Sequence, residues 1–203
     1  LYWSNKIINY NCEKILALRL IRPKTYVEKN LSAELREIER SARNSRVSEL
    51  NKYEKALIYK YSDDGFDQVN TELRKKKGKN ETQFGLLLAQ ALEKLPNYEG
   101  LVYRGVFLTE SELQKYKKAL ENNMEIIEYP FISTSKMRSI AMQFSGNVMF
   151  RIVSKTGKEI EEISKYGIDS QNEFEILFLP NTRFNILAVT KENDYTLVTM
   201  EEI

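Results

Sequence analysis

The sequence contains no histidine and only one cysteine, Cys12, among its 203 residues. Without histidine, the chain cannot form a Ser-His-Asp or Cys-His catalytic centre or a histidine metal site. A single cysteine permits no internal disulfide and makes a zinc cluster implausible. We therefore predict no metal site. Any catalysis must use carboxylates, arginine, lysine, tyrosine, serine or threonine.

Long apolar runs are also absent. No stretch approaches the ~20 apolar residues that a helix needs to cross a bilayer, so we predict no membrane span. With 42% hydrophobic and 30% charged residues, the chain can bury the core of a globular domain. It begins at Leu1 and has no signal peptide, which is expected of a processed protein or of a piece of a longer one.

The net charge of +2 conceals an uneven distribution. Residues 1–60 contain 13 lysines and arginines against 7 acidic residues. A basic segment of this kind could meet an acidic partner, nucleic acid or a membrane surface. A solvated helical surface explains it equally simply, and we favour that interpretation and predict no nucleic-acid binding.

Helical patterns precede strand patterns along the chain. We predict helices over 32–46, 48–61, 66–75 and from about 80 to 95, with Ser32, the segment 62–65, and Asn80 with Gln83 as candidate caps. After Gly100 we predict strands at 101–106, 125–132, 147–153, 158–163, 173–179, 183–190 and 195–201. Two helices interrupt them, one behind the capping box Thr109-x-x-Glu112 and one over 139–144. This order favours an α+β fold.

The predicted strand over 173–179 is apolar on both faces and should be central. Alternation places Leu177 and Leu179 on the same face as Glu173 and Glu175, and three apolar residues on the other. Two carboxylates at the start of such a strand are costly to bury unless a site uses them. Taken alone, they are explained as readily by a strand end that protrudes into water.

Two further polar features lie in the strand-rich half. Arg104 stands inside the apolar strand 101–106, where a guanidinium needs an anion such as a carboxylate or phosphate, or a structural salt bridge. The strand that ends at Phe131-Ile132 continues into Ser133-Thr134-Ser135, whose hydroxyls could bind a ligand or cap the next turn.

The order of these features resembles the Arg–Ser–Glu signature of mono-ADP-ribosyltransferases, in particular arginine-modifying bacterial toxins of the iota and vegetative-insecticidal type. Upstream, Tyr61-Ser62, Phe66 and Asn70 stand at the spacing typical of these toxins, and Phe144 follows Ser133 by eleven residues. The resemblance covers residues 49–203 as a catalytic domain and leaves 1–48 as a helical N-terminal extension. The chain departs from the pattern at Gly105 and Asn147, where many relatives have arginine.

The resemblance implies two packed, mainly antiparallel sheets around an NAD cleft, with NAD as substrate. It implies that Glu175 stabilises the ribose cation left by nicotinamide, that Ser133 holds Glu175, and that Glu173 serves an incoming arginine. The nucleotide site would be lined by Arg104, Tyr61, Asn70, Thr134 and Phe144. The loop 166–172 would contact the protein target through Tyr166, Ile168 and Gln171, although Tyr166 could instead pack beneath the loop.

The implied function is mono-ADP-ribosylation of a target protein on arginine by a bacterial or phage toxin or effector, secreted or delivered into a target cell. The expected form is a monomer, with a delivery component or an immunity protein as possible partners. Two alternatives stay open at this point. One is an NAD glycohydrolase that passes the ribose to water, and the other is a degenerate domain that only binds or supports a partner.

Overall fold

The computed structural model describes residues 22–144 and 146–203. The predicted N-terminal extension is therefore described only from Arg22 onward, and Cys12 lies outside the described residues. The first half of the described chain is helical, as predicted. Its elements are α1 (Pro23–Asn30), α2 (Ser32–Arg40), a 3-10 turn (Ala42–Asn44), α3 (Lys52–Lys60), a π-helical turn (Tyr61–Gly65), α4 (Phe66–Lys75) and α5 (Gln83–Glu93).

The predicted helices exist, but several of their caps differ. Ser32 is not a cap, because Leu31 alone separates α1 from α2 and Ser32 is already helical. Asn51 begins α3 with a capping box, three residues after the predicted start. Thr82, and not Asn80 or Gln83, accepts the capping hydrogen bond of α5.

The segment 62–65 does not break the helix as predicted. It forms the π-helical turn that carries α3 directly into α4. Such a turn shifts the direction of the helix without ending it, and turns of this kind occur often at functional sites. Here the turn brings Tyr61 and Ser62 to one side of a cavity described below.

The second half contains seven strands and two helices. In chain order these are β1 (Asn97–Val106), α6 (Glu110–Glu121), β2 (Glu125–Glu128), β3 (Ile132–Ser135), α7 (Arg138–Gln143), β4 (Val148–Glu159), β5 (Glu175–Phe178), β6 (Thr182–Lys191) and β7 (Thr196–Glu202). The predicted division into strands is wrong in two places. The strand predicted over 125–132 is two strands, because Pro130 between them has no N–H for the ladder. The strands predicted at 147–153 and 158–163 are one strand, followed by a turn.

The strands fall into two groups that hydrogen bonds join into one seven-stranded order, β1-β3-β5-β4-β7-β6-β2. In the larger group, β1 pairs along its length with β4. Strand β4 pairs with β7, β7 with β6, and β6 with β2. The smaller group is the antiparallel pair β3 and β5. All pairings are antiparallel except β4 with β7. The prediction of an α+β fold with mainly antiparallel strands is confirmed.

Strand β5 lies between two hydrophobic cores. Its residue Leu177 packs into a core with the helices, while Ile176 and Phe178 pack into a second core between the two strand groups and α6. This placement explains why the strand is apolar on both faces, as the sequence predicted. Helices α1 and α2 contribute Val27 and Ile38 to the helical core, and the division into residues 1–48 and 49–203 stays a prediction.

Candidate active site

A cavity of about 500 Å³ opens at the N-terminal end of β5. The π-helical turn and α4 form one wall, and β1, β3 and α7 form the others. Nine of the eleven candidate residues named from the sequence line it: Tyr61, Asn70, Arg104, Ser133, Thr134, Phe144, Glu173, Glu175 and, from the target loop, Tyr166. Ile168 and Gln171 are exposed on the same loop but are not among the lining residues.

Glu175 is the first residue of β5 and only 4% of its surface is exposed. Each of its two carboxylate oxygens accepts a hydrogen bond from a serine. Ser133 Oγ lies 2.6 Å from Oε1, and Ser164 Oγ lies 3.3 Å from Oε2. Burial raises the pKa of the Glu175 carboxyl from 4.5 to about 7, and the two hydroxyls only partly oppose that rise. The two hydrogen bonds thus fix the orientation of the carboxylate, and its pKa lies near neutral pH.

Glu173 lies at the cavity mouth and is half-buried. The strand does not extend back to it as predicted, because Phe174 has a positive φ of 51° that interrupts the regular alternation. The main chain of Glu173 is nevertheless fixed: its N–H donates to Tyr166 O at 2.9 Å, and its carbonyl accepts from Ser135 Oγ at 2.7 Å. Burial raises the pKa of the Glu173 carboxyl.

Arg104 faces the carboxylates from β1. Its Nη1 donates to Ser133 O at 2.5 Å, and it takes part in none of the ion pairs within the described part of the chain. Among residues 22–144 and 146–203, Arg104 therefore has no partner for the structural salt bridge considered from the sequence. Burial lowers the pKa of the Arg104 guanidinium, yet a guanidinium stays charged in proteins. An unpaired cation in a cavity is suited to an anionic ligand.

Arg74 from α4 is a second such cation, which was not among the residues predicted for the site. It lines the same cavity, is near enough to Arg104 to lower its pKa, and likewise has no ion pair among residues 22–144 and 146–203. A signal was present, since Arg74 follows Asn70 by four residues on one helix face.

Tyr61 and Asn70 line the cavity but also support its wall. Asn70 Nδ2 donates to Tyr61 Oη at 3.2 Å, and Asn70 Oδ1 accepts from Phe131 N at 3.0 Å. Burial raises the pKa of the Tyr61 hydroxyl, so this group is neutral. Together these bonds dock α4 onto the segment that leads into β3.

Thr134 and Phe144 have different surroundings. Thr134 Oγ1 donates to Ile176 O at 2.7 Å, so its hydroxyl ties β3 to β5. Phe144 directly follows α7 and is 60% exposed at the cavity rim. Their predicted roles in nucleotide binding stay predictions.

A second cavity of about 600 Å³ adjoins the first and shares Arg74, Arg104 and Gly105 with it. Its other lining residues are mainly apolar or aromatic, among them Phe107, Tyr116, Pro130 and Phe150. The two arginines thus stand where the polar and the apolar cavities meet.

Asn147, one of the two departures from the toxin pattern, makes structural hydrogen bonds. Its side chain accepts from Leu108 N at 2.9 Å and donates to Leu108 O at 2.8 Å. These two bonds hold the segment after β1 against the start of β4.

Comparison with known proteins decides the family. A sequence model described as ADP-ribosyltransferase exoenzyme matches residues 36–202. The chain belongs to the ADP-ribosyltransferase exoenzyme family. Within this family it is 27% identical, over 85% of its length and 74% of the relative's, to Vis of Vibrio splendidus, whose name proposes an NAD(+)–arginine ADP-ribosyltransferase. It is 33% identical to Tre1 of Serratia proteamaculans, an NAD(+)–protein-arginine ADP-ribosyltransferase, over 57% of the chain but only 23% of Tre1.

Solved structures of ADP-ribosyltransferases have the same fold. The ADP-ribosyltransferase HopU1 of Pseudomonas syringae superposes with a TM-score of 0.72 at 19% identity, covering 83% of this chain and 85% of HopU1. The crystal structure of Vis in complex with agmatine superposes with a TM-score of 0.61 at 25% identity, covering 87% of this chain and 86% of Vis. The expected ADP-ribosyltransferase fold is confirmed.

The described residues contain no group of three His, Cys, Asp or Glu side chains that could hold a metal ion. They also contain no helix long and apolar enough to cross a membrane.

Proposed function

We propose that this domain cleaves NAD at the nicotinamide–ribose bond and transfers the ADP-ribose to an arginine of a protein. The observation that carries the proposal is the pair of carboxylates in one cavity. One of them, Glu175, is buried and held by Ser133, and the other, Glu173, lies at the mouth. Relatives named as arginine ADP-ribosyltransferases support the same activity.

The two unpaired arginines suit the diphosphate of NAD. Arg74 and Arg104 stand between the polar and the apolar cavity, and a guanidinium fork can bind phosphate oxygens bidentately. With the diphosphate held there, the nicotinamide ribose would reach Glu175 in the first cavity. The adenosine would lie in the second, where apolar and aromatic side chains suit its base.

Glu175 would act at the bond that breaks. When the C1′–N bond of NAD breaks, nicotinamide leaves with the bonding electrons and the ribose becomes an oxocarbenium-like cation. A carboxylate that is buried and held in a fixed orientation stabilises such a charge more strongly than water does. Glu175 would also accept a hydrogen bond from a ribose hydroxyl, and Phe144 at the rim would stack on nicotinamide.

Glu173 would act on the acceptor. A guanidinium is a poor nucleophile while it is protonated, so a carboxylate must orient it and remove a proton as nitrogen attacks C1′. The raised pKa of Glu173 makes it a stronger base than an ordinary carboxylate. Tyr166 is 39% exposed beside it and lines the cavity; with Ile168 and Gln171 further along the loop, it would contact the target.

The test separates hydrolysis from transfer. The protein is incubated with NAD and agmatine, a small guanidine with which Vis was crystallised, and nicotinamide and ADP-ribosylated agmatine are quantified. We expect Glu175→Gln to abolish both products and Glu173→Gln to retain nicotinamide release but lose transfer. Hydrolysis without transfer by the native protein would favour an NAD glycohydrolase. No consumption of NAD would favour a binding module.

A second, more general proposal concerns the biological role of the domain. We propose an effector or toxin delivered into a target cell, with a target protein modified on arginine and a delivery component or immunity protein as partners. Labelled NAD incubated with a cell lysate would identify the modified protein and residue.

A further inference from the structure

The turn between α2 and α3 reaches the active site through one buried arginine. Arg43, in the 3-10 turn, is only 6% exposed. Its Nε donates to Ser164 O at 3.2 Å and its Nη2 to Lys165 O at 3.5 Å, while the guanidinium lies 5.4 Å from the ring centre of Tyr59. Its Nη1 also lies 3.6 Å from Asp169 Oδ2. A buried guanidinium needs such partners, and here they lie in the target loop and in the two residues just before it.

Ser164 links this arginine to the catalytic carboxylate. Its side chain is fully buried, and its hydroxyl lies 3.3 Å from both Glu175 Oε2 and Tyr166 N. Ser133 binds the other oxygen of Glu175, so the two serines together set the rotation of the carboxylate. A carbonyl held by Arg43 limits how far the Ser164 main chain, and therefore its hydroxyl, can turn.

A hydrogen bond from α3 and an ion pair with the target loop hold the segment that carries Arg43. Lys55, a buried residue of α3, donates to Asn44 O at 2.7 Å. Arg46 forms a bidentate pair with Asp169 of the target loop, at 2.9 and 3.1 Å. The turn is therefore a fixed connection between the helical core and the loop.

We propose that Arg43 is a positioning residue of the active site, which acts through Ser164 to orient the Glu175 carboxylate. This inference rests on the proposed function, because it assigns Arg43 and Ser164 to the cleavage of NAD by Glu175. It also gives a catalytic purpose to a turn that lies N-terminal to the domain 49–203 predicted from the sequence.

The test measures nicotinamide release, kcat and KM for NAD, and thermal stability for the variants Arg43→Met, Arg43→Lys, Ser164→Ala and the double variant R43M/S164A. We expect Ser164→Ala and Arg43→Met each to lower kcat about tenfold with KM for NAD nearly unchanged. Arg43→Lys keeps the charge but not the forked donors, and should lose activity in the same way.

The double variant distinguishes positioning from a general loss of stability. If Arg43 acts through Ser164, R43M/S164A should have a kcat within about twofold of Ser164→Ala, because effects in one chain of contacts are not additive. Its thermal stability should fall further than that of either single variant.

Two matched controls come from elsewhere in the fold. Ser154 is a buried serine that donates to Tyr98 O at 2.9 Å, and Lys158 is a buried cation that donates to Leu95 O at 2.7 Å. Ser154→Ala and Lys158→Met should lower thermal stability while leaving kcat unchanged, since neither side chain contacts Glu175.

Each outcome supports or overturns the inference. Unchanged kcat in Ser164→Ala overturns it even if the Arg43 variants fail to fold. A double variant about a hundredfold slower than the native protein also overturns it, because the two residues would then act independently. A native protein that releases no nicotinamide would overturn the proposed function first, and this inference with it.

Discussion

Ser133 and Glu175 are diagonal neighbours across two antiparallel strands. Ser133 of β3 pairs in register with Leu177 of β5, two residues beyond Glu175 and on the same face. The serine hydroxyl therefore reaches the carboxylate at 2.6 Å, within the range of diagonal contacts in such a ladder. The geometry of the proposed catalytic carboxylate thus depends on the register of a strand pair, as well as on the identity of its residues.

Replacing Ser133 tests the value of this contact. Because Ser133 lowers the pKa of Glu175 and fixes its rotamer, Ser133→Ala should reduce kcat for nicotinamide release about ten- to a hundredfold. The acid limb of the pH profile should also move to higher pH. Steady-state rates from pH 5 to 9 would show both effects. If the variant is slower but its pH profile is unchanged, Ser133 does not lower the pKa of Glu175.

Glu175 should make the folded state less stable as the pH rises. Its pKa is raised from 4.5 in the unfolded chain to about 7 in the fold, so between these values the folded protein binds the additional proton. The contribution of this proton to the free energy of unfolding is complete below pH 4.5 and is lost as the pH rises through about 7. Across this range the free energy of unfolding should fall by an amount on the order of 3 kcal/mol.

Glu175→Gln should remove this dependence. Urea unfolding at pH 5 and pH 8 should show the variant to be more stable than the native protein at pH 8, with the difference shrinking by pH 5. Glu173, whose pKa burial also raises, is present in both proteins, so the effect of its own burial is common to the two curves. Parallel stability curves for the two proteins would contradict the perturbed ionisation of Glu175.

Arg104 should govern affinity for NAD more than the rate of cleavage. Arg104→Met removes a cation with no ion pair among the described residues, and should raise KM for NAD about ten- to a hundredfold. The dependence of KM on salt should weaken with it. Arg151 is an exposed arginine on the neighbouring strand β4, so Arg151→Met is the matched control. A salt dependence that survives in Arg104→Met would argue against a diphosphate contact.

Gly167 should affect transfer more than hydrolysis. A Cβ at this position would collide with the backbone carbonyl of Glu161, so Gly167→Ala must displace the loop that carries Tyr166. A displacement of about 1 Å can cost on the order of a hundredfold in rate, and transfer to agmatine should fall far more than nicotinamide release. Gly78 has a φ of 79° in a turn outside the cavity lining. Gly78→Ala should lower stability and leave the ratio of transfer to hydrolysis unchanged.

Much of the fold could be predicted because its signals are local. The capping box at Thr109 and Glu112, the apolar helix α5 and the two apolar faces of β5 are all visible within a few residues. Predictions were wrong where neighbouring segments decide the structure. Ser32 is not a cap, because α1 ends at Asn30 and Leu31 takes the N-cap position of α2.

The same distinction holds for the active site. Composition excluded histidine chemistry, and the order and spacing of Arg104, Ser133, Glu173 and Glu175 indicated the family. Three of these residues lie in strands, and Glu173 lies just before one. No spacing in the sequence indicated Ser164 or Arg43, and only the position of Arg74 four residues after Asn70 pointed to that residue. Ser164 meets Glu175 through a turn, and Arg43 meets Ser164 across 121 positions.

The sequence by itself thus determined which chemical groups the protein can use and the order in which its strands present them. Only the tertiary structure decided which cations stay unpaired, how deeply Glu175 is buried and which hydroxyls orient it. The physical reason is that pairing, burial and orientation depend on distances between segments remote in the chain, which packing sets and which local patterns do not encode.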